Sequence, residues 1–94
     1  MSYIPTIPIR DLTEVTFEDA EYGVTRKMLN RICKDGNINK NKHLILFSTD
    51  SGVLRVNATV WMVGKKYILL KENLYIPIKS IIEIQWIKEK QEKN

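Results

Sequence analysis

The clearest pattern in the chain is an alternation of apolar and polar positions across residues 54–62. One set of alternate positions is entirely apolar: Leu54, Val56, Ala58, Val60 and Met62. The other set is Arg55, Asn57, Thr59 and Trp61. Because successive side chains of a strand point to opposite faces, the pattern predicts one long strand with an apolar face toward the core and Trp61 on the polar face. We expect this strand to bend as its sheet closes on itself.

Four shorter segments around this strand also have β character. They cover residues 43–48, 67–71, 74–78 and 82–86, and turn residues such as Gly52 and Gly64 separate the first two from the long strand. Pro77 cannot donate a ladder hydrogen bond, so it marks an edge, a bulge or the end of pairing. Five strands within residues 43–87 predict a small five-stranded antiparallel barrel of the SH3-like or Sm-like kind, in a chain of mainly β, α+β class.

A helix is predicted before the barrel, over residues 17–34. Thr16 is a suitable N-cap and Gly36 a suitable stop, and acidic residues near the start with basic residues near the end complement the helix dipole. A spacing of three and four residues gives an apolar stripe of Phe17, Ala20, Val24, Met28 and Ile32. The alternative is two shorter helices divided at Gly23.

Residues 1–10 are interpreted as an extended arm, because Pro5 and Pro8 restrict φ and remove backbone donors. The apolar side chains of this arm, which are costly to leave in water, are Tyr3, Ile4, Ile7 and Ile9. We expect them to dock on their own chain, with docking on a neighbouring copy as the alternative. Residues 88–94 have no apolar side chain and are expected to form a frayed polar tail.

Length and composition indicate one domain, residues 1–94. A chain of 94 residues, 44% hydrophobic and 28% charged, fits one core with little apolar material left for a deep catalytic cavity. No apolar run approaches the roughly 20 residues of a membrane span, and the first residues lack the features of a secretory signal. We therefore expect a cytoplasmic protein with no membrane partner. Cys33 is the only cysteine, which excludes an internal disulfide.

The sequence predicts a protein that is not an enzyme. His43 is interpreted as a partly exposed residue at a strand end with no acid at hydrogen-bonding spacing, and Cys33 as a half-buried structural thiol. The four glycines are isolated, so no phosphate-cradling loop is expected, and no group of potential ligands has metal-binding spacing. We therefore predict no catalytic residue, cofactor, metal or small-molecule substrate.

Positive charge is concentrated in the predicted barrel. The formal net charge is +4, and residues 37–87 carry seven Lys or Arg against three Asp or Glu. A surface for single-stranded nucleic acid needs cations for phosphates and aromatic rings for stacking. The residues that supply them are Arg55, Trp61, Lys65, Lys66, Tyr67, Lys71, Tyr75 and Lys79. Alternatively, the lysines keep the barrel soluble and the aromatics complete its core.

Surplus apolar surface makes protein binding the leading functional prediction. Buried aromatic residues commonly dominate protein interfaces, and an extended arm can add to an open sheet edge. The residues predicted to contact a protein partner or a second copy of the chain are Trp61, Tyr3, Ile4, Ile7 and Ile9. The leading prediction is a binding module that contacts another protein or itself, and single-stranded RNA binding is the alternative.

The order of predicted strands over residues 43–87 resembles the Sm-like fold of ring-forming RNA-binding proteins and the bacterial RNA chaperone. Ser51 and Gly52 match the glycine turn of the first Sm motif, and residues 74–84 (LYIPIKSIIEI) resemble the strand, link and strand of the second. The resemblance implies a small barrel that binds RNA. In the family's link an Arg-Gly or Lys-His pair is usual, whereas this chain has PIKS, so only Lys79 matches the basic position.

The opening sequence MSYIP and the helix before the barrel are also similar to the Rho-binding antiterminator family. These are monomeric Sm-like proteins that bind a termination factor, so this second resemblance implies a protein partner. The barrel half of the present chain is basic, whereas the surface of that family is acidic.

Overall fold

The computed structural model describes residues 3–20 and 23–86, which contain one α-helix and seven strands. In chain order they are β1 (Thr6–Ile7), α1 (Arg26–Asn39), β2 (His43–Thr49), β3 (Gly52–Ala58), β4 (Val60–Val63), β5 (Tyr67–Leu70), β6 (Leu74–Pro77) and β7 (Ile81–Trp86). Short 3-10 helices cover Ile9–Glu14, Lys71–Asn73 and Ile78–Ser80. The domain is of the α+β class.

The strands form two sheets, so the prediction of a five-stranded barrel over residues 43–87 is wrong. The first sheet has the order β1–β3–β2–β7, with β1 parallel to β3, and the second is antiparallel with the order β4–β5–β6. The strand predicted over residues 54–62 ends at Ala58, and Thr59 passes the chain from one sheet to the other. Alternation could not reveal this division, because it reports which face is buried and not which strand each half pairs with.

A bulge in β4 changes the direction of its side chains. Val60 pairs with Leu70 and Met62 with Leu69, so two residues of β4 oppose one of β5. Val60 is fully buried, whereas Trp61 is 43% and Met62 53% exposed. Met62 therefore lies outside the core, contrary to the apolar face predicted from alternation.

The helix begins later than predicted. Thr25 rather than Thr16 caps α1, and its side chain accepts a backbone N–H at 3.1 Å. Residues 16–20 run instead in an extended path beside the end of β2, where Phe17 packs on Phe47 with ring centroids 5.6 Å apart. Phe17 is thus a core contact from extended backbone. The prediction of one helix over residues 17–34 is wrong at its start. The extended segment and α1 both bury apolar residues, and together these residues have the spacing of one continuous helix.

The helix also ends later than predicted, because Gly36 is a packing residue and not a stop. A Cβ at Gly36 would lie 2.4 Å from the carbonyl oxygen of Val60, so glycine permits the close approach of α1 to β4. The helix continues to Asn39 and ends at Lys40, whose backbone is left-handed with φ of 59°. Its buried residues are Leu29, Ile32 and Gly36.

The N-terminal arm docks on its own chain, as expected, and the alternative of docking on a neighbouring copy is not needed. β1 pairs with β3, and the Arg55 amide donates to the Pro5 carbonyl at 2.9 Å. Ile7 and Ile9 pack against the core, although Ile9 opens a 3-10 helix and does not continue the extended arm. Tyr3 remains 83% exposed. The predicted tail, residues 88–94, lies outside the described residues.

One hydrophobic cluster joins the two sheets and α1. Its largest fully buried side chains include Phe47, Leu29, Ile45, Ile68 and Ile76. No helix in the described part of the chain has the length and apolar character of a membrane span.

Candidate functional site

A cleft of about 320 Å³ opens between three separate segments of the chain. Its walls are formed by Phe17 and Asp19 from the extended segment, by residues 65–67 at the start of β5, and by residues 77–80 after β6. This volume is at the lower end of the ~300–1,000 Å³ typical of ligand sites. The cleft therefore suits a small group or one unit of a longer chain.

Backbone hydrogen bonds hold the three segments together. The Ile78 amide donates to the Lys66 carbonyl at 2.8 Å, and the Ala20 amide donates to the Lys79 carbonyl at 2.7 Å. Each bond joins two of the segments that line the cleft. The backbone that carries the lysines is therefore fixed before any ligand binds, which lowers the entropy cost of binding.

Arg26, in the first turn of α1, fixes the turn between β4 and β5. Its guanidinium donates to the Gly64 carbonyl at 2.9 Å and to the Lys65 carbonyl at 3.1 Å. The Gly64 amide donates in turn to the Tyr67 carbonyl at 2.8 Å. These bonds satisfy the turn's carbonyls with a permanently charged donor and add a positive charge beside the cleft.

Two tyrosines extend the cleft onto the outer face of the second sheet. Tyr67 and Tyr75 meet edge to face, with centroids 6.1 Å apart and an interplanar angle of 80°. They are 49% and 54% exposed, so both rings remain accessible to solvent. Tyr75 also lies opposite Leu69, which lies opposite Met62, so a row of apolar side chains crosses all three strands.

The cleft carries a positive charge. Lys65, Lys66 and Lys79 line it together with a single carboxylate, Asp19. Within the described residues, Asp19 forms no ion pair with these lysines. The lysines are exposed, so their ammonium groups are free to meet an anion.

The other residues predicted to bind nucleic acid lie elsewhere. The Arg55 guanidinium donates to the Thr6 hydroxyl at 2.9 Å and to the Ile4 carbonyl at 3.1 Å, so it fastens the N-terminal arm. Lys71 follows β5 at the end opposite Tyr67. The structure therefore brings together five of the eight predicted residues, namely Lys65, Lys66, Tyr67, Tyr75 and Lys79.

Trp61 occupies the bulge in β4. Its carbonyl accepts hydrogen bonds from the Asn37 side chain at 3.0 Å and from the Cys33 thiol at 3.3 Å. These bonds cover part of the β4 edge with α1, while the indole stays partly exposed. Cys33 is half-buried against the core, which agrees with a structural thiol.

Sequence reasoning missed Phe17 and Asp19 as lining residues of this cleft, and Arg26 as the residue that fixes the turn beside it. Phe17 and Asp19 fall within the predicted helix over residues 17–34, whereas the structure has them in an extended segment. Arg26 lies in the second half of the predicted helix, residues 17–34, yet it stands in the first turn of α1. In the sequence, the local feature that indicates this cleft is the pair of lysines, Lys65 and Lys66, in the turn after Gly64.

His43 is not the partly exposed residue predicted. It is fully buried, and its ring meets that of Trp86 edge to face at 4.7 Å. Its Nε2 lies 3.2 Å from Asp35 Oδ2, but in the described residues neither ring nitrogen has a hydrogen-bond partner of acceptable geometry. Burial lowers the pKa of His43, and the Asp35 carboxylate opposes this effect. The sequence could not show this contact, because Asp35 is brought to the start of β2 by a helix that was predicted to end earlier.

Among residues 3–20 and 23–86, no three His, Cys, Asp or Glu side chains are grouped to hold a metal ion. No protein-family model, curated protein or solved structure matches the chain. The geometry of the basic cleft and of the adjoining tyrosines is therefore the basis for a functional assignment.

Proposed function

We propose that this protein is a non-enzymatic module that binds single-stranded RNA at the cleft formed by residues 17–19, 65–67 and 77–80. The observation that carries the proposal is the position of Tyr67. It lines a cleft with three lysines and also contacts Tyr75 on the outer face of the sheet. Cations and accessible rings are thereby continuous, which is the arrangement that a single strand requires.

The lysines and the tyrosines have different tasks in this proposal. Lys65, Lys66 and Lys79 neutralise phosphates, and three such contacts give a salt slope of about 2 for a single strand. Tyr67 and Tyr75 stack on bases, with each stacked base contributing ~1–3 kcal/mol. Affinity is expected to depend strongly on salt and weakly on sequence.

The test is fluorescence anisotropy of a short labelled single-stranded RNA across a salt series. We expect the triple variant Lys65→Gln, Lys66→Gln, Lys79→Gln to bind weakly and to reduce the salt slope by about 2. Lys34→Gln is the matched control, because this exposed lysine on α1 lines a different groove. Tyr67→Ala is expected to weaken binding without a change in slope. Absence of binding at low salt, or equal effects of the triple variant and the control, would refute the proposal.

Self-association through β4 is a second candidate, favoured by the bulge that exposes Trp61 and Met62 next to each other. Two adjacent exposed large apolar side chains are a suitable surface for a second copy, although α1 covers part of the β4 edge. The N-terminal arm is an unsuitable route, since it already pairs with β3 of its own chain. Light scattering tests this candidate: Met62→Lys should lower the mass and Met28→Lys, on α1, should not. A parent protein that is monomeric at high concentration removes it.

A further inference from the structure

We propose that Asp19 makes the cleft selective for guanine, an inference that rests on the proposed RNA-binding function. Asp19 is the one acidic side chain that lines a cleft with three lysines. A carboxylate there opposes the binding of phosphate, so in this proposal Asp19 contacts a base and not the phosphate backbone. Within the described residues the Asp19 carboxylate makes neither an ion pair nor a side-chain hydrogen bond. Both of its oxygens are therefore open acceptors.

The backbone on each side of Asp19 is anchored. The Glu18 amide donates to the Ser48 carbonyl at 3.0 Å, and the Ala20 amide donates to the Lys79 carbonyl at 2.7 Å. The backbone of Asp19 thus lies between two fixed points, and the short aspartate side chain keeps the carboxylate close to that backbone at the wall of the cleft. A carboxylate on an anchored backbone can be a specificity group, because the segment that carries it does not have to be ordered when a base binds.

Guanine is the base whose edge fits a carboxylate with two free oxygens. Its N1–H and exocyclic N2–H are adjacent donors, so both oxygens are satisfied in a paired, charge-assisted arrangement. Adenine and cytosine place an acceptor beside their amino group, and uracil places its single N–H between two carbonyls. With any of these bases one carboxylate oxygen faces an acceptor or stays unpaired. The lysines hold the phosphates and Tyr67 stacks on the base in the same complex.

The experiment compares a short uridine tract with the same tract carrying one central guanosine or one central inosine, which lacks the N2 amino group. We expect the parent protein to bind the guanosine oligonucleotide about tenfold more tightly than the uridine tract, with inosine losing most of that preference. Asp19→Asn should abolish the preference and bind the uridine tract at least as tightly as the parent does, because a negative charge is removed. Asp50→Asn is the matched control, since Asp50 is an exposed carboxylate in the turn between β2 and β3.

Two results would overturn the inference without affecting the proposed function. One is a parent protein that binds the uridine tract but does not favour guanosine. The other is an Asp19→Asn variant that keeps the preference. Failure to bind any of the three oligonucleotides is a different result, because it refutes RNA binding itself.

Discussion

The Nε2 atom of His43 lies 3.2 Å from the Oδ2 atom of Asp35, and this contact joins α1 to the first residue of β2. Asp35 also accepts hydrogen bonds from the side chains of Asn39 at 2.7 Å and Asn41 at 3.0 Å. The carboxylate therefore gathers three side chains around the connection between helix and sheet. Its pKa is lowered, chiefly by the hydrogen bond from Asn39.

The first prediction is that acid destabilises the fold in two steps. The folded-state pKa of His43 lies below its ordinary value of 6.5, so the unfolded chain takes up this proton more readily. The neutral form of His43 therefore contributes to the free energy of unfolding above pH 6.5. This contribution is lost as the pH falls from 6.5 through the lowered folded-state pKa. For Asp35 the stability is present above pH 3.8 and is lost as the pH falls through its lowered folded-state pKa.

Urea unfolding at a series of pH values checks this prediction. His43 is the only histidine in the chain, so a His43→Leu variant should remove the step nearest neutrality while the step at lower pH remains. A parent protein with constant stability from neutral pH to well below the ordinary pKa of histidine would contradict the assignment.

The second prediction concerns the contact between α1 and β4. Gly36→Ala should lower stability by ~1–3 kcal/mol, because the new methyl group would meet the Val60 carbonyl oxygen at 2.4 Å. The steric cost is partly offset by the gain of ~1 kcal/mol that alanine brings to a helix. Gly23→Ala is the matched control, since its nearest neighbour would be 3.9 Å away. The midpoint of thermal unfolding should therefore fall for Gly36→Ala and change clearly less for Gly23→Ala.

A third prediction addresses the fastening of the N-terminal arm. Arg55→Ala removes the hydrogen bonds to the Thr6 hydroxyl and the Ile4 carbonyl, so the arm should open more often. Limited proteolysis should cleave the arm several times faster, with the rest of the domain intact. Arg31→Ala serves as the control, because Arg31 is exposed on α1 and its side chain makes no hydrogen bond within the described residues. Equal cleavage of the two variants would show that pairing of β1 with β3 holds the arm without Arg55.

The fourth prediction distinguishes Arg26, which positions the lysines, from Lys65, which contacts phosphate. Arg26→Leu should weaken RNA binding a few-fold, because the turn that carries Lys65 and Lys66 loses two hydrogen bonds. Its salt slope should match that of the parent, whereas Lys65→Gln should lower the slope by about 0.7. Arg31→Leu, on the same helix, is the control and should bind as the parent does. A reduced slope for Arg26→Leu would mean that this guanidinium meets phosphate directly.

The segments of β2, β5, β6 and β7 could be predicted from the sequence because each is a short run with an apolar side. The arrangement of those segments could not be predicted, since Thr59 carries no local signal that β3 and β4 belong to different sheets. The helix was misplaced for a related reason. Thr16 and Thr25 are both good caps, and the choice between them depends on the pairing of residues 16–20 with the end of β2.

Part of the candidate site could be predicted from the sequence. Lysines and tyrosines in turns and on strand faces are visible as residue types, and five of them meet around one cleft. Asp19 reaches that cleft, and Arg26 reaches the turn beside it, only through long-range contacts. The role of Arg55 changed because its partners, Thr6 and Ile4, are 49 and 51 residues away in sequence.

The parallel pairing of β1 with β3 has a consequence for the order in which the chain folds. During synthesis, the arm leaves the ribosome well before Arg55, its partner in the register, has been made. The opposite edge of the same sheet also waits, because β2 pairs with β7 at His43 and Trp86. β1 therefore waits for β3 although it is made first, and β7 can join the hairpin of β2 and β3 only after the rest of the sheet has been made. Contacts of such long sequence separation are expected to make folding slow for a domain of this size.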